Sequence, residues 1–173
     1  MLILVTGGAA SGKSEFAERV LLSLGKDHKK TYLATMQRGS DAAEQRIRRH
    51  QALREGKDFE LLESPRNIVS VRDRCGEAVL LECVTNLLAN EQFGEVYDEH
   101  PAERIREDIR ALHERCRFLV AVTGEVFSDG IMYETYTENY RRELGKLNCM
   151  LAEDADAVAE VCCGIGQWIK GGI

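Results

Sequence analysis

A glycine-rich segment near the start of the chain has the residue types and the spacing that bind phosphate. It matches the pattern G-x-x-x-x-G-K-[ST] at every fixed position. Glycines allow consecutive backbone N–H groups to converge on a phosphate, and the N-terminus of a following helix adds positive potential. The segment therefore predicts nucleotide contacts from Gly7, Gly8, Ala9, Ala10, Ser11, Gly12, Lys13 and Ser14.

Lys13 and Ser14 have separate tasks in such a loop. Lys13 would reach the β- and γ-phosphates, and the Ser14 hydroxyl would hold Mg²⁺. The alternative interpretation is a chance glycine turn before a helix. The flanking sequence favours the phosphate site. The apolar run Leu2–Thr6 predicts a strand before the loop, and apolar residues at helical spacing in Lys13–Leu24 predict a helix after it.

Two acidic residues follow apolar, strand-like runs. Glu82 directly follows the apolar run of residues 78–81. In a P-loop protein, a carboxylate at this position can order Mg²⁺ or its waters. We predict a catalytic and metal-binding role for Glu82, although aspartate is the usual residue and a solvent-facing acid is the alternative. Glu125 follows Phe118–Val122 and could either serve the site or cap the next segment. Spacing does not decide between these two roles.

A basic stripe supplies a second candidate for chemistry. Arg46, His50 and Arg54 are four residues apart, so on one helix they share a face, and a helix is predicted over residues 41–53. Two cations beside an imidazole suit the binding of a triphosphate, or a histidine nucleophile that attacks one. Spacing alone favours the alternative, a solvated basic helix face.

Strand-like and helix-like segments alternate along the chain. Beyond the first strand, apolar runs predict strands over residues 31–35, 59–62, 78–83, 118–122, 157–163 and 167–170. Helical spacing predicts helices over residues 13–24, 41–53 and 136–151, one that contains Leu87 and Leu88, and one that begins at Pro101. Residues 68–74 are ambiguous and favour a helix, and residues 92–99 favour a loop.

This alternation predicts an α/β fold in a single domain over residues 1–173. We expect a mostly parallel, twisted sheet with helices on both faces and a short C-terminal antiparallel strand. Together with the glycine-rich loop, the pattern predicts a P-loop NTPase of the RecA-like type. Ligands of such sheets bind at the carboxyl ends of the strands, which is where the loop and Glu82 fall.

The charge balance and the apolar runs exclude several classes of partner. The net charge is −6 and no large basic block is present, so duplex nucleic acid and anionic membranes are poor candidates. No run approaches the roughly 20 apolar residues of a membrane span. The apolar start is too short for a signal peptide, because glycines interrupt it. We therefore expect a cytoplasmic protein.

The cysteines and two tyrosines are predicted to be structural. None of the six cysteines forms C-x-x-C, and none has a histidine at zinc-finger spacing. Cys83, Cys162 and Cys163 lie in apolar runs, which favours small buried hydrophobic residues in a reduced protein. Tyr136 and Tyr140 belong to a helical stripe that favours core packing over base stacking.

Several motifs together resemble those of one enzyme family. The opening I-L-V-T-G-G-x-x-S-G-K-S, by itself, is typical of many P-loop proteins. With the other motifs it is specific: Y-x-A-T at residues 32–35, R-I-x-x-H-x-x-x-R at 46–54, L-L-[DE]-C-x-T at 80–85 followed by Asn90, and G-x-x-N at 145–148 followed by L-A, A-D and G-I. End to end, the chain resembles the bifunctional adenosylcobinamide kinase/adenosylcobinamide-phosphate guanylyltransferases.

The resemblance implies two reactions and a set of site residues. A nucleoside triphosphate, ATP or GTP with Mg²⁺, phosphorylates the aminopropanol hydroxyl of the corrinoid adenosylcobinamide, and GMP then passes from GTP through a histidine to that phosphate. The guanylylated histidine falls on His50. Nucleotide contacts fall on the glycine-rich loop and on Thr35, Met36, Gln37, Gln51, Ala52, Leu53, Arg54, Glu63 and Glu82; Arg46 joins them from the basic stripe. The resemblance also implies a homotrimer with sites between subunits.

The chain departs from the family pattern in two segments. T-N-E-V-G becomes T-G-E-V-F at residues 123–127, and the loop of residues 128–134 differs from the usual G-x-G-[IV]-V-P-E. Phe59 replaces a tryptophan, and one residue is inserted before it. These departures bear on the corrinoid contacts.

Two other functions stay open at this point. One is a single-activity P-loop kinase for another small alcohol or nucleotide, in which His50 only clamps phosphate. The other is a nucleotide-dependent switch or binding module. It ranks lowest, because the chain has no N-K-x-D motif to read guanine.

Overall fold

Six parallel strands and one antiparallel strand form a single sheet in the computed structural model, which describes residues 1–39 and 56–173. The spatial order is β3-β2-β4-β5-β1-β6-β7, so the first strand lies inside the sheet and the last at an edge. The strands are β1 (Leu2–Thr6), β2 (Lys30–Ala34), β3 (Phe59–Glu63), β4 (Ala78–Glu82), β5 (Phe118–Val122), β6 (Ala157–Cys162) and β7 (Ile165–Lys170).

Helices cover both faces of this sheet. Within the described residues they are α1 (Lys13–Leu24), a 3-10 helix (Ile68–Arg74), α2 (Val84–Gln92), α3 (Ala102–Arg115) and α4 (Thr135–Asp154). Side chains alternate along β1, so Ile3 and Val5 pack towards α1 while Leu2 and Leu4 pack towards the other helices. The core is therefore two apolar layers, one on each face.

The structure confirms the predicted fold class. The mostly parallel sheet, the helices on both faces and the C-terminal antiparallel strand are all present. Residues 68–74 form a 3-10 helix, α2 extends to Gln92, and β7 begins two residues earlier than predicted, at Ile165. The helix predicted over residues 41–53 lies outside the described residues. The single-domain prediction stays a prediction.

Two predictions of burial are wrong. Cys162 and Cys163 are exposed, because side chains alternate at the end of β6 and Cys162 points the same way as the exposed Glu160, while Cys163 lies in the turn to β7. Tyr136 is 64% exposed because it lies in the first turn of α4, ahead of the part of the helix that packs on the sheet. Tyr140 does pack against the core.

A helix that crosses a bilayer must be both long and apolar. In the part of the chain that the structure describes, no helix has both the length and the composition needed to cross a membrane.

Candidate nucleotide site

The glycine-rich loop connects β1 to α1 at the carboxyl edge of the sheet. Gly12 precedes the helix with a φ of +87°, in the left-handed region that favours glycine. A Cβ at this position would lie 2.9 Å from the Cα of Gly164, so the chain also needs glycine here for space. The backbone N–H of Gly164 in turn donates to the carbonyl of Ser11 at 2.7 Å. The turn between β6 and β7 therefore supports the loop from one side.

Two polar groups of the loop are placed to meet an anion. The Ser11 hydroxyl is buried and has no hydrogen-bond partner among the residues the structure describes. The ammonium group of Lys13 donates to the Gly8 carbonyl at 2.9 Å, which holds the lysine across the loop. An ammonium has three donors, and a buried hydroxyl without a partner is costly. Both groups thus fit a phosphate oxygen in the loop.

The Ser14 hydroxyl and the Glu82 carboxylate are in direct contact. Ser14 lies in the first turn of α1, and its Oγ donates to Oε1 of Glu82, the last residue of β4. Glu82 is buried, 7% exposed, and a buried carboxylate requires such donors. The predicted pair of metal ligands is thus brought together by two elements that are far apart in sequence.

This donor set fits Mg²⁺ held jointly with a nucleotide. The two protein groups offer only oxygen atoms, which Mg²⁺ prefers, and Mg²⁺ usually takes one or two protein oxygens together with phosphates and waters. Within the described residues, no cluster of three or more histidine, cysteine or acidic side chains could hold a metal by itself. An all-protein metal cage is therefore not what this arrangement offers.

Thr35 fixes the end of β4. This buried residue directly follows β2, and its hydroxyl both donates to the Cys83 carbonyl at 2.8 Å and accepts from the Cys83 N–H at 2.7 Å. The Thr35 N–H donates to the Glu82 carbonyl at 2.9 Å. Asn90 adds its side-chain amide, which donates to the carbonyls of Thr35 and Pro65. The Thr35 hydroxyl is thus engaged by backbone, and its effect is to hold Glu82 in place.

The other predicted contacts from this side of the sheet lie along the same edge. Met36 is half-buried and Gln37 is exposed, and both follow the carboxyl end of β2. Glu63 ends β3 and accepts from Arg38 with both of its carboxylate oxygens. Ala34 pairs with Glu63 on one side and with Glu82 on the other, so the two acids stand level across three strands.

The loop after β5 is held by three side chains that spacing did not single out. Thr123 donates to the Asn148 side chain at 2.7 Å, and Asn148 donates to the Gly124 carbonyl at 3.3 Å. Thr85 accepts from the Gly124 N–H at 2.8 Å. The only sequence signal for Thr85 and Asn148 was their place in the family motifs, because these contacts join β5 to α2 and α4.

Glu125 caps the segment that follows it. Its Oε1 accepts from the Phe127 N–H and from the Ser128 hydroxyl, both at 2.8 Å. Its backbone contacts the glycine-rich loop, because the Glu125 N–H donates to the Gly7 carbonyl at 3.1 Å. Of the two roles left open by spacing, the structure supports the cap.

Cys83 is a structural residue beside the site. Its sulfur accepts from the Asn86 N–H at 3.4 Å and caps the N-terminus of α2. Burial raises the pKa of the Cys83 thiol to about 11, so the thiol is protonated at neutral pH. Cys83 is half-buried and packs against the apolar core, so it has a structural role without being the fully buried residue that was predicted.

One part of the predicted site is not described. Residues 40–55 fall outside the described ranges, and they contain six of the predicted site residues: Arg46, His50, Gln51, Ala52, Leu53 and Arg54. The structure therefore brings together the phosphate loop, Lys13, Ser14 and Glu82. The basic stripe stays a prediction.

Comparison with known proteins gives a match along nearly the whole chain. The family model described as "Cobinamide kinase / cobinamide phosphate guanyltransferase" matches residues 3–169. The bifunctional adenosylcobalamin biosynthesis protein CobU of Escherichia coli is 34% identical over 98% of this chain and 100% of that protein. CobU of Salmonella typhimurium is 33% identical over the same shares, and CobP of Pseudomonas aeruginosa is 28% identical over 97% of this chain and 96% of its own length.

Similar solved structures support the fold alone. The flagellar accessory protein FlaH from Methanocaldococcus jannaschii has a TM-score of 0.51 and 12% identity, and the match covers 99% of this chain and 78% of that one. A KaiC-like protein from Pyrococcus horikoshii also has a TM-score of 0.51 and 12% identity, with 92% and 69% covered. These structures thus share with this chain the fold of a mostly parallel sheet with helices on both faces.

The two hydrogen bonds between the Thr35 hydroxyl and the backbone of Cys83 predict how two substitutions differ. Thr35→Val keeps the shape but leaves the Cys83 N–H and carbonyl without the hydroxyl, so we expect a loss of about 2 kcal/mol in the free energy of unfolding. Thr35→Ser keeps both hydrogen bonds and removes one buried methyl, which costs about 1 kcal/mol. Urea denaturation of both variants measures the difference. If Thr35→Val is as stable as Thr35→Ser, the Thr35 hydroxyl does not stabilise the end of β4.

Proposed function

The chain belongs to the cobinamide kinase / cobinamide phosphate guanyltransferase family, and we propose that it carries out both reactions on adenosylcobinamide. In the first, a nucleoside triphosphate phosphorylates the aminopropanol hydroxyl. In the second, GMP passes from GTP to that phosphate and gives adenosylcobinamide-GDP. The observation that carries the proposal is the contact of Ser14 with Glu82 beside the glycine-rich loop, in a chain that matches the family over its length.

The kinase step would need positioning and charge neutralisation. The hydroxyl oxygen of the corrinoid attacks the γ-phosphorus, the bond from that phosphorus to the bridging oxygen breaks, and the hydroxyl proton leaves to solvent. Lys13 neutralises charge on the β- and γ-phosphates, and the loop amides of residues 7–14 bind their oxygens. Ser14 and Glu82 would hold Mg²⁺, which supplies further charge stabilisation when it is bound.

The guanylyl transfer would need a nucleophile, and we assign it to His50. An imidazole nitrogen attacks the α-phosphorus of GTP, the bond from that phosphorus to the bridging oxygen breaks, and pyrophosphate leaves. The corrinoid phosphate then attacks the same phosphorus, which restores the histidine. Arg46 and Arg54 lie four residues away on either side in sequence, where they would bind the α-phosphate with charge-assisted hydrogen bonds.

The remaining contacts are proposed by family membership. Beyond the glycine-rich loop, the nucleotide would meet Thr35, Met36, Gln37, Arg46, Gln51, Ala52, Leu53, Arg54, Glu63 and Glu82. For Thr35 the contact would come through its backbone, because its hydroxyl is bonded to Cys83. We also propose that ATP or GTP is the phosphate donor, that the protein is a cytoplasmic homotrimer, and that its sites lie between subunits.

Lys13→Ala tests the phosphate site. We expect the kinase turnover to fall by about a hundredfold or more, because the charge that develops on the phosphates loses its ammonium partner. Turnover is measured with adenosylcobinamide and a γ-labelled triphosphate. The matched control is Lys26→Ala, which removes an exposed lysine after α1 and leaves turnover unchanged. Equal turnover in both variants would contradict the assignment of Lys13 to the phosphate site.

His50→Ala tests the covalent step. After incubation with α-labelled GTP and a denaturing gel, the wild-type chain should carry label, and His50→Ala should carry none while keeping most of its kinase activity. A GMP–histidine bond is a phosphoramidate, so the label should be lost in mild acid and survive alkali. His28→Ala is the control, because His28 precedes β2 and lies at the opposite edge of the sheet.

The same experiment separates the two enzyme hypotheses. Acid-stable label, or label on the peptide that contains Lys13, contradicts the assignment of His50. A wild-type chain that phosphorylates its substrate but never takes label is a single-activity kinase.

A further inference from the structure

A pair of adjacent thiols lies on the turn that supports the glycine-rich loop. Cys162 ends β6, and Cys163 and Gly164 form a two-residue turn to β7. Both cysteines are exposed, and their sulfur atoms are 3.8 Å apart. The reaction proposed above uses neither of them.

The turn itself does not call for a cysteine. Cys163 has a φ of +52° and Gly164 a φ of +79°, so both central residues are left-handed, as in a type I′ turn. Asparagine, aspartate and glycine are the residues that such a position favours, because other side chains are strained there. A thiol at this position is therefore not explained by the backbone conformation.

The sulfur separation suits one atom bound by both thiols. Two metal–sulfur bonds of about 2.3 Å at a tetrahedral angle place the sulfurs about 3.8 Å apart. A disulfide fits less well, because adjacent Cα atoms are about 3.8 Å apart whereas disulfides usually span about 4.4–6.8 Å. Binding of one atom by both thiols thus requires little movement of the sulfurs, whereas a disulfide between these adjacent cysteines would strain the backbone.

The surroundings determine which ligand would fit. Within the described residues there is no third histidine, cysteine or acid in place to complete a metal site. Among the described residues, the site therefore offers two sulfurs, and it suits a ligand that needs only these two and brings its other substituent with it. Trivalent organoarsenicals have this chemistry, because they carry one organic group and bind two thiolates.

We propose that Cys162 and Cys163 form a chelating dithiol for trivalent organoarsenicals, and that its occupation weakens nucleotide binding at the adjacent loop. In the binding step two arsenic–sulfur bonds form, the arsenic–oxygen bonds of the oxide break, and the oxygen leaves as water with the two thiol protons. A hydrogen bond and like charge from Cys163 raise the pKa of the Cys162 thiol.

The coupling follows from the contacts of the turn, and this part rests on the proposed nucleotide site. Gly164 follows the two cysteines and donates its N–H to the Ser11 carbonyl at 2.7 Å. Its Cα also blocks the space next to Gly12. The sulfur atoms themselves need to move little, but the organic group on the bound arsenic would crowd this turn, displace Gly164 and, through it, shift the backbone amides that bind phosphate. By linkage, bound nucleotide would weaken arsenical binding by the same factor.

Phenylarsine oxide added to the full chain tests the chelation. By intact-mass spectrometry under non-denaturing conditions, the wild type should take up one equivalent that survives excess monothiol and is released by a dithiol. Cys162→Ser and Cys163→Asn should take up none, and asparagine keeps the turn because it tolerates positive φ. Cys149→Ser, which removes an exposed lone thiol on α4, should behave as the wild type. Retention of the arsenical by either turn variant overturns the site.

A fluorescent GTP analogue tests the coupling on the same samples. We expect phenylarsine oxide to raise the Kd about fivefold or more in the wild type and in Cys149→Ser, and to leave it unchanged in Cys162→Ser and Cys163→Asn. An unchanged Kd in a wild type that has taken up the arsenical overturns the coupling. If the untreated wild type binds no nucleotide, the proposed function fails, and the uptake measurement still decides the dithiol site.

Discussion

The hydrogen bond from Ser14 to Glu82 connects parts of the chain that are 68 residues apart in sequence. A hydrogen bond to a charged group contributes roughly 1.5–3 kcal/mol, and a buried carboxylate without donors would cost more than that. The bond exists only because β1 pairs with β5 and β5 pairs with β4, which brings the start of α1 and the end of β4 to the same edge. The contact between Ser14 and Glu82 thus depends on the order of the strands in the sheet.

Local sequence predicted the parts of the molecule that depend on local physics. The glycine-rich loop was readable because its backbone conformation and its charge are encoded in eight consecutive residues. The strands were readable from apolar runs, and Glu82 from its place at the end of one. The hydrogen bonds from Thr35 to Cys83 could not be predicted in this way, because they depend on which strand β2 pairs with. Neither was the exposure of Cys162, which follows from strand alternation at a position where the apolar run had indicated burial.

The departures from the family pattern lie where the packing tolerates them. Gly124 stands where the family has asparagine, and a Cβ there would lie 3.0 Å from the Thr85 hydroxyl, so a larger residue would require Thr85 to shift. In the following loop Ile131 is 55% exposed and Met132 is 95% exposed, so substitutions there leave the core unchanged. Thr123, Thr85 and Asn148, which hold this loop to the sheet, keep the family's residue types.

The pairing of Glu63 and Glu82 with the same residue of β2 fixes the distance between their backbone positions. Both pair with Ala34, so their Cα atoms are separated by two strand spacings, about 10 Å. Loop movements cannot change this distance, because changing it would break the backbone hydrogen bonds of three strands. A ligand that contacts both acids must therefore span two strand spacings, less what the two glutamate side chains can reach. The spacing of these two positions is then set by the backbone pairing of the sheet, and rotation of the two side chains can adjust it only within their own reach.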